Sequence, residues 1–294
     1  MAPDTGELIG GGRTADFLLG VVEGFYGRPW PDDLRLAYAD YLAGLGLNAM
    51  LYCPKGDPFL RKRWQEDWPA HRWAHLQDQS RIYRERGLHW GPGLSPFALY
   101  RDYGAAQRSA LRSKVSRLME LQPALLGILF DDMPGNIADL ASRQADILAD
   151  VRDWAPGVRL LACPTYYSFD PVLEQHFGAR PAGYWEQLGR QLPPDVDIFW
   201  TGKEVCAETV TEDCIAAITR LLGRAPLLWD NYPVNDGAVR SRFLYCEAPT
   251  GRSPRLRSLL AGHLSNPMNQ GMLSLPALSG LAALYTGDTS PEGW

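Results

Sequence analysis

Leu125-Leu126-Gly127-Ile128-Leu129-Phe130-Asp131-Asp132 is the stretch on which the reading of this chain turns. An unbroken apolar run of this length reads as a strand buried on both faces, the pattern of a parallel strand covered by helices. Residues 136–154 follow as a helix, with Leu140, Gln144, Leu148, Val151 and Trp154 roughly in line. The two aspartates therefore stand where a buried strand turns toward its helix.

The same unit repeats in both directions. Upstream, strands are expected at 18–25, 48–53 and 89–94, and helices at 32–45, 70–86 and 105–121. The helix at 32–45 carries Leu34, Ala37, Tyr41, Leu42 and Leu45 on one stripe, and that at 105–121 carries Leu111, Val115, Leu118 and Leu121. Downstream, strands are expected at 159–163, 197–200, 226–229 and 258–264. Helices are expected at 181–191, 211–222 and 275–284, with a loop and a short helix across 236–251. Eight strand-then-helix units without a glycine-rich phosphate loop predict an α/β fold, a closed (β/α)8 TIM barrel rather than a doubly wound open sheet. The length of 294 residues suits one such barrel. The domain expectation is a tail at 1–15, a single barrel at 16–288 and a short tail at 289–294.

Bulk properties narrow the function. The hydrophobic fraction of 46% and charged fraction of 21% are those of a globular chain with a sizeable core. The net charge of -5, with no basic cluster on a helix or glycine-rich loop, argues against nucleic acid as a partner. No stretch approaches the roughly 18 apolar residues of a membrane span, so no membrane partner is expected. The start of the chain is polar and glycine-rich, without the basic and apolar segments of a secretion signal. The five cysteines are widely spaced and fit neither a disulfide framework nor zinc-ligand spacing. A cytoplasmic location, with no cofactor and no metal, is the expectation. Ten Trp and thirteen Tyr either fill core and loops or cover the apolar faces of a sugar, and abundance alone does not separate these.

In this architecture a site forms where the strands end at their carboxyl termini. The segments there are 23–30, 54–57, 93–96, 131–132, 164–167, 201–203, 230–233 and 266–269. Turns account for their glycine and proline. They do not account for a lysine, amides and a carboxylate pair converging on one mouth, which is what a ligand requires. Asp131-Asp132 could cap the following helix, but a barrel strand end favours a functional pair. Hard-cation sites need more oxygen ligands than these segments assemble.

Two carboxylates in one pocket cannot both ionise freely, so one is pushed toward its acid form. That splitting suits glycoside cleavage, but adjacent residues sit too close to flank a sugar at the usual separation of about 5 Å or more. The pair makes better sense if a 2-acetamido group on the substrate supplies the nucleophile, its carbonyl oxygen attacking the anomeric carbon. One Asp then polarises the amide N–H, and the other serves as acid and then as base.

The motifs resemble glycoside hydrolase family 84, the O-GlcNAcase and bacterial β-N-acetylglucosaminidase group. The most specific is Gly20-Val21-Val22-Glu23-Gly24-Phe25-Tyr26-Gly27-Arg28-Pro29-Trp30. Tyr52-Cys53-Pro54-Lys55, Phe130-Asp131-Asp132, Cys163-Pro164-Thr165 with Tyr167, and Trp200-Thr201-Gly202 support it. So do Trp229-Asp230-Asn231 with Asn235-Asp236, and Asn266-Pro267. The match covers 19–285 and is to the catalytic barrel alone.

The resemblance implies a retaining exo-β-N-acetylglucosaminidase acting through an oxazoline intermediate. It implies Asp131 as the group that polarises the acetamido nitrogen and Asp132 as the acid and base. Tyr167 would bond near the acetamido group, Asn231 would hold it, and Trp229 would wall its pocket. Asp236 would accept from the sugar 4- and 6-hydroxyls, with Lys55, Asn266 and the Gly24 backbone completing the hydroxyl contacts. The implied substrate is a β-GlcNAc glycoside, free or on a protein or peptide. The alternatives are a GlcNAc-binding protein without turnover and a glycosidase acting on hyaluronan fragments. Gly56, Tyr166 and Lys203 depart from the family pattern and question the loops around the leaving group.

Overall fold

Side-chain alternation along the strands decides which residues fill the middle of the molecule. The computed structural model describes residues 16–287. Within them, β1 (Leu18–Glu23), β2 (Ala49–Tyr52), β3 (His89–Leu94) and β4 (Leu125–Leu129) are followed by β5 (Arg159–Cys163), β6 (Asp197–Trp200), β7 (Leu227–Asp230) and β8 (Gly262–Ser265). Neighbours in sequence are neighbours in space, all parallel, and β8 closes on β1 through Leu18 opposite Gly262. The fold is a (β/α)8 barrel.

Every second residue points inward. Leu18 and Val22, Ala49 and Leu51, Leu125 and Leu129, with Leu161, Phe199, Leu227 and Leu264, make a core inside the barrel. The intervening residues, such as Leu126, Ile128 and Phe130, pack outward against the helices. This is why β4 reads as continuously apolar: both of its faces are buried.

The helices are α1 (Asp32–Gly44), α2 (Ala70–Glu85), α3 (Ala105–Met119), α4 (Leu140–Trp154), α5 (Val172–Phe177), α6 (Tyr184–Gln191), α7 (Glu212–Leu222), α8 (Gly237–Arg240) and α9 (Gly271–Thr286). The start of α7 shows the local logic: Thr211 accepts from the Cys214 amide at 3.2 Å, and Glu212 and Asp213 occupy the positive end of the helix. Gly223, in the left-handed region, ends it.

Several boundaries differ from expectation. The eighth strand is Gly262–Ser265, not 258–264. Pro254 and the Ser253 side chain, which accepts from the Arg255 amide, instead set a 3-10 turn over Pro254–Ser258. The ladder begins only where β1 and β7 offer partners at Gly262. The fourth helix starts at Leu140, because residues before it are tied elsewhere: the Gly135 amide donates to the Phe177 carbonyl at 2.7 Å. The fifth connection holds a helix the pattern did not foretell, α5, before α6. The last helix is longer than expected and runs through Pro276. The first strand ends at Glu23, two residues early. The tails assigned to 1–15 and 289–294 lie outside the described residues.

Behind the mouth, Asp230 at the end of β7 anchors a buried charge network. Arg252 donates to it twice, at 2.8 and 2.7 Å, and His263 of β8 faces it at 3.0 Å. A carboxylate only accepts, so the His263 Nε2 carries the hydrogen, and Nδ1 faces the Tyr285 hydroxyl at 2.9 Å. No described helix is long and apolar enough to cross a membrane. The five cysteines are free.

Candidate active site

The inward register of each strand continues past its last ladder bond and delivers a side chain to the mouth. Counting by twos from Leu125 through Leu129 reaches Asp131; from Leu227 through Trp229 it reaches Asn231; from Ala49 through Cys53 it reaches Lys55. Gly24 and Asn266 arise in the same way from β1 and β8. These positions meet in one pocket of about 170 Å³. Asp132, Tyr167, Trp229 and Asp236 also line it, so every residue given a catalytic or binding role from the sequence lies in this wall.

Successive residues of an extended chain point to opposite sides, yet Asp131 and Asp132 share the pocket. The backbone at Asp132 explains this. Its φ of 58° is left-handed, a conformation uncommon outside glycine, and the kink turns the second carboxylate back to the first. Such backbone costs on the order of 1–3 kcal/mol and gathers at functional sites.

Lys55 pairs with both carboxylates. Its ammonium bonds Asp131 Oδ2 and lies 3.2 Å from Asp132 Oδ2. Asp131 Oδ1, by contrast, is buried without a partner. Burial pushes the Asp131 carboxyl above the usual carboxylate range, against the pull of Lys55, and the charge of Asp132 adds to the rise. Burial also acts upward on Asp132, but Lys55, a hydrogen bond from the Tyr26 phenol and the Arg61 charge together hold it below its ordinary value. Burial lowers Lys55 less than the two aspartates raise it, so its ammonium stays charged.

The opposite wall is a chain of amides. The Gly24 amide donates to Asn266 Oδ1 at 3.2 Å, and Asn266 Nδ2 donates to Asn231 Oδ1 at 3.0 Å. The same oxygen accepts from the Trp229 indole at 3.0 Å, while Asn231 Nδ2 donates to the Val205 carbonyl at 2.7 Å. Trp229 is thereby fixed as a buried wall, 5% exposed. Gly24 has to be glycine because of it: a Cβ there would stand 2.2 Å from the indole ring. Burial raises the Tyr167 phenol well above its usual value, so it remains a neutral hydroxyl.

Asp236 already accepts the Tyr26 amide at 2.7 Å. Tyr26 itself, with Cys163, Thr201, Val205, Cys206 and Val234, completes the wall without having been assigned a role from sequence. Tyr26, Cys163 and Thr201 sat inside the motifs, a usable signal; Val205, Cys206 and Val234 gave none. The departures from pattern stay outside the wall. The Tyr166 hydroxyl donates to the Gly178 carbonyl at 2.6 Å, and its ring packs edge-on against Tyr184. Lys203 is exposed, and Gly56 rests against Pro29. Among the described residues no group of His, Cys, Asp and Glu could hold a metal ion.

The chain matches known proteins along most of its length. Residues 19–291 match the family model for β-N-acetylglucosaminidase. The rat (Rattus norvegicus) Protein O-GlcNAcase is 29% identical over 297 residues, covering 97% of this chain and 31% of that protein. The mouse (Mus musculus) Protein O-GlcNAcase is 29% identical over 289 residues, covering 94% and 30%. The chain thus spans about a third of the length of these curated relatives. A solved structure of a mutant O-GlcNAc hydrolase from Thermobaculum terrenum superposes with a TM-score of 0.81 at 29% identity, covering 90% of this chain and 59% of that one.

Proposed function

Because this chain belongs to the β-N-acetylglucosaminidase family, glycoside hydrolase family 84, we propose that it is a retaining exo-β-N-acetylglucosaminidase. It removes terminal β-linked GlcNAc from a glycoside, including GlcNAc O-linked to a protein or peptide, by substrate-assisted catalysis. The observation that carries this reading is the state of Asp131: one oxygen taken by Lys55, the other buried without a partner, beside a second carboxylate. A buried acceptor of this kind is costly until a donor reaches it, and the N–H of a 2-acetamido group is such a donor.

The steps follow. The acetamido N–H bonds Asp131 and holds it as a carboxylate. The charge on Asp131 then disfavours a second charge on Asp132, which takes up the proton a general acid needs. The sugar hydroxyls draw Lys55 off the pair, removing the cation that kept Asp132 ionised. The acetamido oxygen attacks the anomeric carbon as Asp132 protonates the departing oxygen, and Asp131 takes the amide proton to leave the neutral oxazoline, returning it to nitrogen when the ring opens. Asp132 next takes a proton from water, which opens the oxazoline with net retention. Asn231 and Trp229 enclose the acetamido arm, with Tyr167 bonding near it. Asp236, Asn266, Lys55 and the Gly24 backbone hold the hydroxyls. No cofactor enters the reaction. Five free thiols suit a reducing compartment such as the cytoplasm.

An aryl β-GlcNAc substrate tests the reading, with a series whose N-acetyl group carries increasing fluorine. Fluorine weakens the carbonyl nucleophile, so rates fall along the series and the first-formed sugar is the β-anomer. A flat response removes neighbouring-group participation. Tight binding of a thiazoline mimic with no turnover makes the chain a sugar-binding protein instead. Faster release from hyaluronan fragments than from glycopeptides would reassign the natural substrate.

A further inference from the structure

The proposed acid is held by a residue to which no role has been given. The Tyr26 phenol donates to Asp132 Oδ2, and Arg61 Nη1 donates to the Tyr26 hydroxyl at 3.1 Å. The Arg61 guanidinium also lies 5.7 Å from the Tyr26 ring centre. The placement of the phenol is fixed from its own backbone. The Tyr26 amide donates to Asp236, and Asn269 Nδ2 donates to the Tyr26 carbonyl at 3.0 Å. Gly27 permits the turn, with φ at 105° and a Cβ position 2.9 Å from the Asn269 amide. Tyr26 is nevertheless 46% exposed, standing at the mouth where a leaving group must pass.

A hydrogen bond donated to a carboxylate favours its charged form, whereas an acid must carry the proton. Resting on the function proposed above, we propose that Tyr26 is a positioning residue, which with Arg61 behind it holds Asp132 through its phenol and releases it as the leaving group arrives. The groups facing Asp132 are Asp131 beside it, Lys55 after β2, Arg61 beyond that, Tyr26 after β1, and Cys163 and Tyr167 from β5 and its loop. Of these, only the Tyr26 phenol both bonds Asp132 and sits exposed enough to be displaced by an entering leaving group.

The test is the pH dependence of Tyr26→Phe against wild type on a substrate with a poor leaving group. The kcat/KM profile reports the free enzyme and the kcat profile the complex. In Tyr26→Phe the basic limb of kcat/KM moves up by about one pH unit, the scale of a lost hydrogen bond to a charged group. The basic limb of kcat stays where it was, because in the complex the phenol has already left Asp132. Arg61→Gln moves the kcat/KM limb in the same direction by less, through its own charge on Asp132 and through the phenol it supports, so the double variant moves it by less than the sum of the two single shifts. A uniform loss at every pH with unmoved limbs, or equal movement of both limbs, overturns the proposal. Titration of the Asp132 carboxyl by 13C NMR in both proteins reads the same shift without turnover. A wild-type protein that turns over nothing refutes the enzymatic reading, while an unmoved NMR titration refutes the role of Tyr26 by itself.

Discussion

Replacing Asp230 with Asn would measure the buried network that supports the β7 and β8 ends. Its carboxyl titrates at about 2 in the folded protein; burial acts upward, and is outweighed by His263 and Arg252. An unfolded Asp titrates near 3.9. The folded value is the lower one, so the stability this group confers is complete above pH ~4 and drains as pH falls toward 2. The difference corresponds to ~2.6 kcal/mol at pH 7, about half of that at pH 3 and a few tenths at pH 2. In Asp230→Asn, Arg252 keeps its bonds to the Ala207 carbonyl at 2.8 Å and to those of Thr250 and Glu208, so it is not stranded. The expected loss at pH 7 is therefore about 3 kcal/mol, the low end for breaking a buried pair. For a chain of this size that is about 5 °C in Tm. Urea unfolding of both proteins, followed by tryptophan fluorescence at pH 7 and pH 3, gives the difference directly, because the other titrating groups cancel. A gap that stays the same at both pH values would refute the assignment of the stabilisation to a charged Asp230.

Asp132→Asn should lose about 10²–10⁴-fold in kcat/KM on substrates with poor leaving groups and far less where the departing phenol needs no proton; equal losses on both would remove Asp132 as the acid. Gly24→Ala pushes its new methyl into the Trp229 indole, and an overpacking cost of about 1–3 kcal/mol should weaken a thiazoline mimic roughly ten-fold or more. Unchanged binding in that variant would mean Trp229 is not a wall of the occupied pocket. Lys55→Met withdraws the cation that lowers both aspartates. Asp131 must be charged to accept the amide, so the acidic limb of kcat/KM should move to higher pH, and a limb that stays put would exclude Lys55 from the titration of the pair.

Legibility in the sequence followed how local the cause was. β4 and the aspartates after it could be read because burial on both faces leaves an unbroken apolar run. The start of β8 could not: Leu259, Leu260 and Ala261 look like strand, and only the neighbours at Leu18 and Leu227 decide that pairing begins at Gly262. The start of α4 was missed because the bond that diverts its approach, from Gly135 to Phe177, spans two loops. The site residues fell at strand ends and could be named from their place there and the family motifs. The bond from Tyr26 to Asp132 joins positions 106 residues apart, with no spacing to announce it. The left-handed backbone at Asp132, which lets adjacent carboxylates face one way, also leaves no mark in composition.

The two-residue register that carries Leu125, Gly127 and Leu129 on to Asp131 makes each strand a ruler graduated in pairs. Deleting a single residue within β4 would turn Asp131 toward the helices as surely as replacing it, whereas a deletion of two would keep its heading and lower it into the barrel. Insertions and deletions should therefore be tolerated only in the stretches beyond the last inward position. Lineages diverging from this protein should show their gaps after Asp132 or after Asp236, and almost none between Leu125 and Asp131.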